Sequence, residues 1–303
     1  MQALAYYMAL PFIYMVSLLP LPAVYAISNV LYFILYKLIG YRKRVVIQNL
    51  TNAFPEKSNV EILQLADKFY RYLCDLILEI FKTLTFTRKQ ALEVFEYTPE
   101  SLELINSYAQ KGQSLIFVVG HHGNWEWSGN PLGMLFKGKM QVIYHKLTNP
   151  YFDALMYRMR TRFGCSLIEM REVTRTMLKN KNMVTATAFI ADQTPSPENA
   201  CWVWFLNQPT PVFRGTEVLA RKFNYPVIYF TIKRIKRGKY VCEAKLICAE
   251  PKLTKEGEIT ELHTRMLEAD IKREPEIWLW SHKRWKHKPS EEVLQRLKRH
   301  NDR

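Results

Sequence analysis

The chain has 303 residues, 48% hydrophobic and 13% aromatic, enough to bury a large core, which excludes a disordered or low-complexity protein. A formal net charge of +15 and a pI near 9.5 call for an anionic partner: nucleic acid, an anionic membrane surface or a phosphorylated substrate. The five cysteines, Cys74, Cys165, Cys201, Cys242 and Cys248, match no zinc or disulfide framework, which predicts reduced thiols in a cytosolic domain.

Residues 1–40 carry one charged side chain, Lys37. Pro20 and Pro22 divide them into runs 3–19 and 23–39, each near the lower end of the ~17–25 residues that a spanning helix needs, so the segment reads as one tilted span or a re-entrant pair. A secretory signal is the rival reading, but no basic residue precedes the apolar run and no clean small-x-small cleavage site follows it. Two buried helices of a soluble protein are the bland alternative. Basic residues gather at Lys37, Arg42, Lys43 and Arg44, which by the positive-inside rule places the rest of the chain in the cytoplasm. The expectation is an uncleaved membrane anchor over 1–40 and a catalytic domain over 41–303.

Residues 41–54 read as a helix ending before Pro55, and 59–83 as an amphipathic helix with Ile62, Leu65, Phe69 and Leu73 on its apolar side. A short helix over 99–111 leads into the central stretch, SLIFVVGHHGNWEW, from Ser114 to Trp127. Residues 115–119 are apolar and predict a buried strand, 120–124 a turn, and Asn124 the N-cap of a helix opening with Trp125, Glu126 and Trp127. Ligands of open α/β sheets bind beyond the strand carboxyl ends, where His121 stands. A carboxylate five positions on, at Glu126, can fold back across the Gly-containing loop and hold one imidazole nitrogen. The other nitrogen is then free to take a proton from a hydroxyl attacking an acyl carbonyl. The bland reading makes Glu126 a helix-start residue favoured by the macrodipole, and the histidines polar turn residues.

An H-x-x-x-x-[D/E] element after an apolar strand resembles the signature of glycerolipid-type acyltransferases, and HHGNWEW is similar to the version in bacterial lipid A (lauroyl/myristoyl-type) secondary acyltransferases. The resemblance implies that His121 is the catalytic base, Glu126 its partner, and His122 a variable position. The basic stretch from Tyr41 to Phe54, with its Asn-Leu and Phe-Pro, resembles the same family.

Residues 140–144 predict the next strand, Asn149-Pro150 a turn, and 151–163 a helix with Arg158, Arg160 and Arg162. NPYFDALMYRMR resembles the family's Asn-Pro-x-x-Asp helix, which implies a functional arginine here: Arg160 by position, with Arg158 a near competitor. Read alone, such arginines form a solvated face. A strand over 183–191 ends at Asp192-Gln193, where the family also has Asp-Gln. An acid at a strand end is commonly a turn former; the crevice rule makes Asp192 also a candidate supporting residue, pairing with the helix arginine. A Pro-rich link follows through Trp204 and Pro211, and Arg214, Gly215 and Thr216 then open a helix over 217–223 whose free N–H groups offer an anion site. Residues 226–233 and 240–248 predict a hairpin, and 260–272 a helix. The tail mixes Trp278, Trp280 and Trp285 with Lys283, Arg284 and Lys286, which suits single-stranded nucleic acid or a headgroup-level interface; with an anchor present, the membrane is favoured.

The predicted fold class is α/β, a central mostly parallel or mixed sheet flanked by helices, glycerolipid-acyltransferase-like, behind an apolar N-terminal segment. The resemblance implies acyl transfer from an acyl-carrier-protein thioester to a hydroxyl of a lipid A precursor at the inner membrane, with the catalytic domain on the cytoplasmic face. It implies no metal or other cofactor, and acyl carrier protein, lipid A precursor and the anionic membrane surface as partners; no nucleic acid is expected. Another glycolipid or a phospholipid is the alternative acceptor. A nucleic-acid-binding protein leaves the strand-end histidine without a role, and a metal hydrolase using His121, His122, Glu126 and His145 lacks a ligand spacing.

Overall fold

The computed structural model describes residues 1–301. Its N-terminal helices are α1 (Gln2–Leu18) and α2 (Leu21–Tyr32), the latter running on through a π turn at Phe33–Leu38. After α3 (Lys43–Ala53) comes the long α4 (Asn59–Lys82), started by a capping box in which Ser58 and Glu61 satisfy each other's backbone N–H groups. Its apolar stripe, including Ile62, Leu65, Phe69 and Leu73, is buried against the sheet domain.

The polar residues of α4 bolt α1 and α2 to the body of the protein. Ser28 donates to Asp75 (2.6 Å) and Tyr25 to Glu79 (2.8 Å), while the Lys82 ammonium donates to the carbonyls of Ser17 and Leu19, capping the end of α1. The opposite faces of α1 and α2 stay exposed and apolar, with Met8, Leu18, Val30, Phe33, Leu38 and Ile39 uncovered. The stretch Leu21–Leu38 is one helix long and apolar enough to cross a membrane by length and composition.

The remaining elements are α5 (Arg88–Val94), β1 (Phe95–Tyr97), α6 (Pro99–Gln110), β2 (Leu115–Val119), α7 (Trp125–Leu135), β3 (Lys139–Tyr144), α8 (Pro150–Thr161), β4 (Ser166–Glu169), α9 (Val173–Lys179) and β5 (Thr185–Ile190). They are followed by β6 (Ala200–Phe205), β7 (Gln208–Phe213), α10 (Gly215–Phe223), β8 (Val227–Lys236), β9 (Lys239–Cys248), α11 (Glu258–Arg273) and α12 (Glu291–Asn301). The main sheet has seven strands in the order β1-β9-β8-β2-β5-β3-β4. Every neighbouring pair is parallel except β8 and β9, the hairpin anticipated over 226–233 and 240–248. The predicted α/β class is what the chain adopts: a curled, mostly parallel sheet flanked by helices, with apolar helices at its start. The all-buried β2 lies in its middle, as a continuous apolar run in a parallel sheet requires.

Two expectations are corrected. The Pro-rich link is an antiparallel hairpin, β6 with β7; Pro209 and Pro211 fit because neither strand of this small ribbon has a second neighbour to which a proline N–H would be owed. The aromatic tail is core rather than membrane interface, since Trp278 and Trp280 are buried and packed edge to face at 4.7 Å. Its backbone is held by α3, where Asn49 donates to the carbonyls of Trp280 and His282 and Arg42 to that of Ser281. All five cysteines are free.

Candidate active site

Strand register builds the site. Val119 at the end of β2 is level with Ile190 at the end of β5, and the next backbone bond, from Ala191 N to Val119 O, continues the pairing. His121 and Asp192 therefore leave adjacent strands two residues beyond the same rung. The carboxylate takes the His121 backbone N–H (2.8 Å) and faces the ring, with Nδ1 2.6 Å from Oδ1. The Trp278 indole N–H, brought in by the tail, gives Asp192 a third donor at 2.8 Å.

These partners assign the proton of the neutral imidazole to Nδ1 and leave Nε2 as the acceptor. Burial alone would raise the Asp192 pKa, but electrostatic attraction to the His121 ring and the hydrogen bonds donated by His121 and Trp278 outweigh it and hold the carboxyl well below the usual carboxylate range. Nε2 receives the Gln193 side-chain N–H at 3.2 Å. The ring packs edge-on against Trp125, centroids 4.8 Å apart, which fixes its plane.

The turn carrying His121 is held from several sides. Gly123 sits at φ +65°, and a Cβ there would lie 2.4 Å from Ile232 Cγ2, so the turn needs a glycine. Tyr72 donates to the Gly123 carbonyl at 2.5 Å, and Gly123 N and Leu279 N bond the tail and turn together across the bridge between His122 and Trp278. Asn124 caps α7 as expected, accepting from Trp127 N at 2.9 Å, and its own amide donates to Glu79 at 2.8 Å. Glu79 is completely buried, so desolvation raises its pKa, and it gathers hydrogen bonds from Tyr25, Asn124 and Tyr240. The N-terminal helices, α4 and the turn thus meet at one carboxyl group.

Glu126 does not hold His121. Its carboxylate forms a bidentate pair with Arg160 of α8, at 2.9 and 2.6 Å. The expected pairing of Asp192 with the helix arginine is likewise replaced by Asp192 with His121. The physical reason is direction. At the second position of α7 Glu126 reaches across to α8, whereas strand register places Asp192 against the imidazole. Burial would lower the Arg160 pKa, but Glu126 more than compensates and raises it.

His121, Glu126, Arg160 and Gln193 line a cavity of about 490 Å³, within the ~300–1,000 Å³ typical of small-molecule pockets. Its inner wall is apolar, with Leu132, Met140, Val142, Ala188, Leu219 and Phe230. Gly215 and Thr216 line it too, at the start of α10; Thr216 is buried and its hydroxyl has no protein partner.

Other expected residues lie elsewhere. Arg214 pairs with Glu256 and lines a separate cleft of about 1050 Å³ beside β6 and α11, because its side chain projects away from the crevice that Gly215 and Thr216 face. Arg158 is exposed and turns toward Tyr14 of α1. In the tail cluster Arg284 is buried while Lys283 and Lys286 are exposed. His122 is buried under burial's downward pull on its pKa, with Nε2 3.0 Å from the Glu274 carbonyl; His145, by contrast, does line the cavity of His121, with Nδ1 2.9 Å from the Lys146 carbonyl. Among the described residues no group of three or more His, Cys, Asp or Glu converges as metal ligands would. Trp278 was not anticipated at the site, and Gln193, named only as half of the strand-end Asp-Gln pair, had been given no role there.

A family model described as bacterial lipid A biosynthesis acyltransferase matches residues 1–287. The chain is 26% identical over 174 residues to a lipid A biosynthesis myristoyltransferase of Escherichia coli (strain K12), 54% of this chain and 50% of that one. Lipid A biosynthesis acyltransferase 1 of Shigella flexneri gives the same figures. A lipid A biosynthesis lauroyltransferase of Escherichia coli (strain K12) is 22% identical over 282 residues, 91% of this chain and 90% of that one. The similarity thus spans about half the length of the first two relatives and nine-tenths of the third.

Proposed function

We propose that this chain, which belongs to the bacterial lipid A biosynthesis acyltransferase family, moves a fatty acyl group from an acyl-carrier-protein thioester to a hydroxyl on a lipid A precursor. The observation that carries the proposal is His121, with Nδ1 locked by a buried, ionised Asp192 and Nε2 turned to a largely apolar cavity. In the reaction Nε2 takes the proton of the acceptor hydroxyl, such as that of a 3-hydroxyacyl chain, as its oxygen attacks the thioester carbonyl. Asp192 stabilises the imidazolium that forms. The tetrahedral oxyanion then collapses, the C–S bond breaks, and the proton held on His121 goes to the departing thiolate. Before attack the substrate hydroxyl displaces the Gln193 amide from Nε2.

The bidentate pair holds the Arg160 guanidinium at the cavity wall, where it can meet an anionic oxygen of the acceptor or of the intermediate. The free N–H groups of α10 and the Thr216 hydroxyl offer a second anion site on the same cavity. The apolar wall accommodates an acyl chain. Residues 1–40 serve as the anchor, in the inner membrane, with residues 41–303 as the catalytic domain on the cytoplasmic face. The basic surface faces the anionic membrane and the acidic carrier protein. This chemistry asks for no cofactor.

The test is transfer of a labelled acyl group from acyl-carrier-protein thioester to a lipid A precursor by the purified protein, with His121→Ala as control. Mass spectrometry of membrane lipids with and without the gene should show loss of one acyl chain. No transfer to any lipid acceptor, together with unchanged lipids, would refute the proposal.

A further inference from the structure

Beside the His121–Asp192 pair, lined by Asp192 but not by His121, lies a small space of about 10 Å³, roughly that of a single water molecule. Asp192, Arg284, His263, Tyr229 and Gly120 are among its lining residues. Three nitrogens around this region, Arg284 Nε, Arg284 Nη1 and His263 Nε2, are buried without a hydrogen-bond partner in the protein. Arg284 is 2% exposed, and among the described residues its guanidinium makes no ion pair. A buried cation without a counter-charge is strongly destabilising.

Asp192 is the complementary group. A carboxylate has about four acceptor positions. The ring and the backbone of His121 and the Trp278 indole use three of those on Asp192. Tyr229, the other ionisable side chain in the lining, gives its hydroxyl to Asp270 at 2.9 Å. The backbone of Arg284 is tied to the same corner, since Thr194, two residues beyond Asp192, donates to the Arg284 carbonyl at 2.8 Å.

We infer that Arg284 is a positioning residue for the His121–Asp192 pair, joined to the Asp192 carboxylate through one internal water in this space, with His263 as the third contact of that water. The inference rests on the reading of His121 as the base. Arg284 supplies the counter-charge that keeps Asp192 ionised and in place. By offsetting part of the Asp192 charge, it also limits how strongly the carboxylate draws a proton onto His121 before the acceptor arrives. Burial pushes the Arg284 pKa down to about 10, which still leaves it charged at neutral pH, and pushes that of His263 down to about 4, which leaves the latter neutral. The remaining groups about the pair are His282, pushed down to about 4 by burial, and Glu126 with Arg160 across the cavity, already paired with each other.

The experiment compares Arg284→Gln and Arg284→Lys in the full-length, detergent-solubilised protein. Removing a positive charge favours the protonated ring. The acid limb of kcat/KM for acyl transfer should therefore move up by about one pH unit in Arg284→Gln and stay in place in Arg284→Lys. An acid limb unmoved in Arg284→Gln, with only a uniform fall in rate, would overturn the inference.

A second measurement needs no activity. Asp192→Asn strands the Arg284 charge, so Asp192→Asn/Arg284→Gln should melt at a higher temperature than Asp192→Asn alone. A double variant that melts lower, as additive losses require, overturns the coupling. If the wild type shows no acyl transfer, the functional reading fails while this melting comparison still decides whether the two charges are coupled.

Discussion

Nδ1 of His121 lies 2.6 Å from Oδ1 of Asp192, a residue 71 positions away that also accepts the His121 backbone N–H. The pair defines the tautomer, so His121→Ala should lower acyl transfer by about 10²- to 10⁴-fold, the usual loss for a general base. Asp192→Asn should approach that loss, because an amide that donates to Nδ1 forces the proton onto Nε2. Transfer rates of folded variants check this, and Asp192→Asn with near-native rates would exclude the pairing from the mechanism.

Glu126 and Arg160 form a bidentate pair at 2.6 and 2.9 Å, with side chains 13% and 27% exposed. If Glu126 acts by holding Arg160, then Glu126→Gln, Arg160→Met and the double variant should show rates that do not add, the double being no slower than the slower single. Strictly additive losses would mean that the two act independently.

Gly123→Ala should destabilise the fold by about 1–3 kcal/mol and lower activity with it, since the backbone is at φ +65° and the new Cβ meets Ile232, a β-branched side chain in the sheet. Denaturant midpoints of the two proteins test this. An equally stable variant would show that the turn has room the geometry denies.

Burial pushes the His263 pKa from 6.5 down to about 4. Its folded value is depressed, so below pH 6.5 the unfolded chain binds a proton that the folded chain refuses. The neutral buried ring thus costs no stability above pH 6.5, and stability is lost progressively as the pH falls to 4, by about 3 kcal/mol from this residue. Denaturation at pH 7 and pH 4.5 should show a smaller difference for His263→Leu than for the wild type; an identical difference would place the acid sensitivity elsewhere.

The exposed apolar side of α1 and α2 predicts retention in membranes through a high-salt wash, because apolar burial is not screened. Protease added from the periplasmic side should leave the catalytic domain intact. Release by salt, or cleavage from outside, would contradict the anchor or its orientation.

Much of this protein was legible in its sequence because the signals are local. A five-residue apolar run predicts β2, Asn124 caps α7 with its own side chain, Asn149-Pro150 starts α8, and the apolar period of α4 sets its buried face. The motif around His121 and its likeness to a known family also marked Glu126, Arg160 and Asp192 as a group. Partnership was not legible. Nothing in HHGNWE says that Glu126 reaches α8 rather than the imidazole, because that choice follows from the direction in which α7 leaves the turn. The pairing of His121 with Asp192 is set by the register of β2 on β5, a relation between segments about seventy residues apart. The tail misled for the same reason: a run of tryptophans and basic residues has one composition whether it meets a membrane or a core. Only the folded chain, with Trp278 donating to Asp192 and Arg284 buried behind it, decides that these residues face inward.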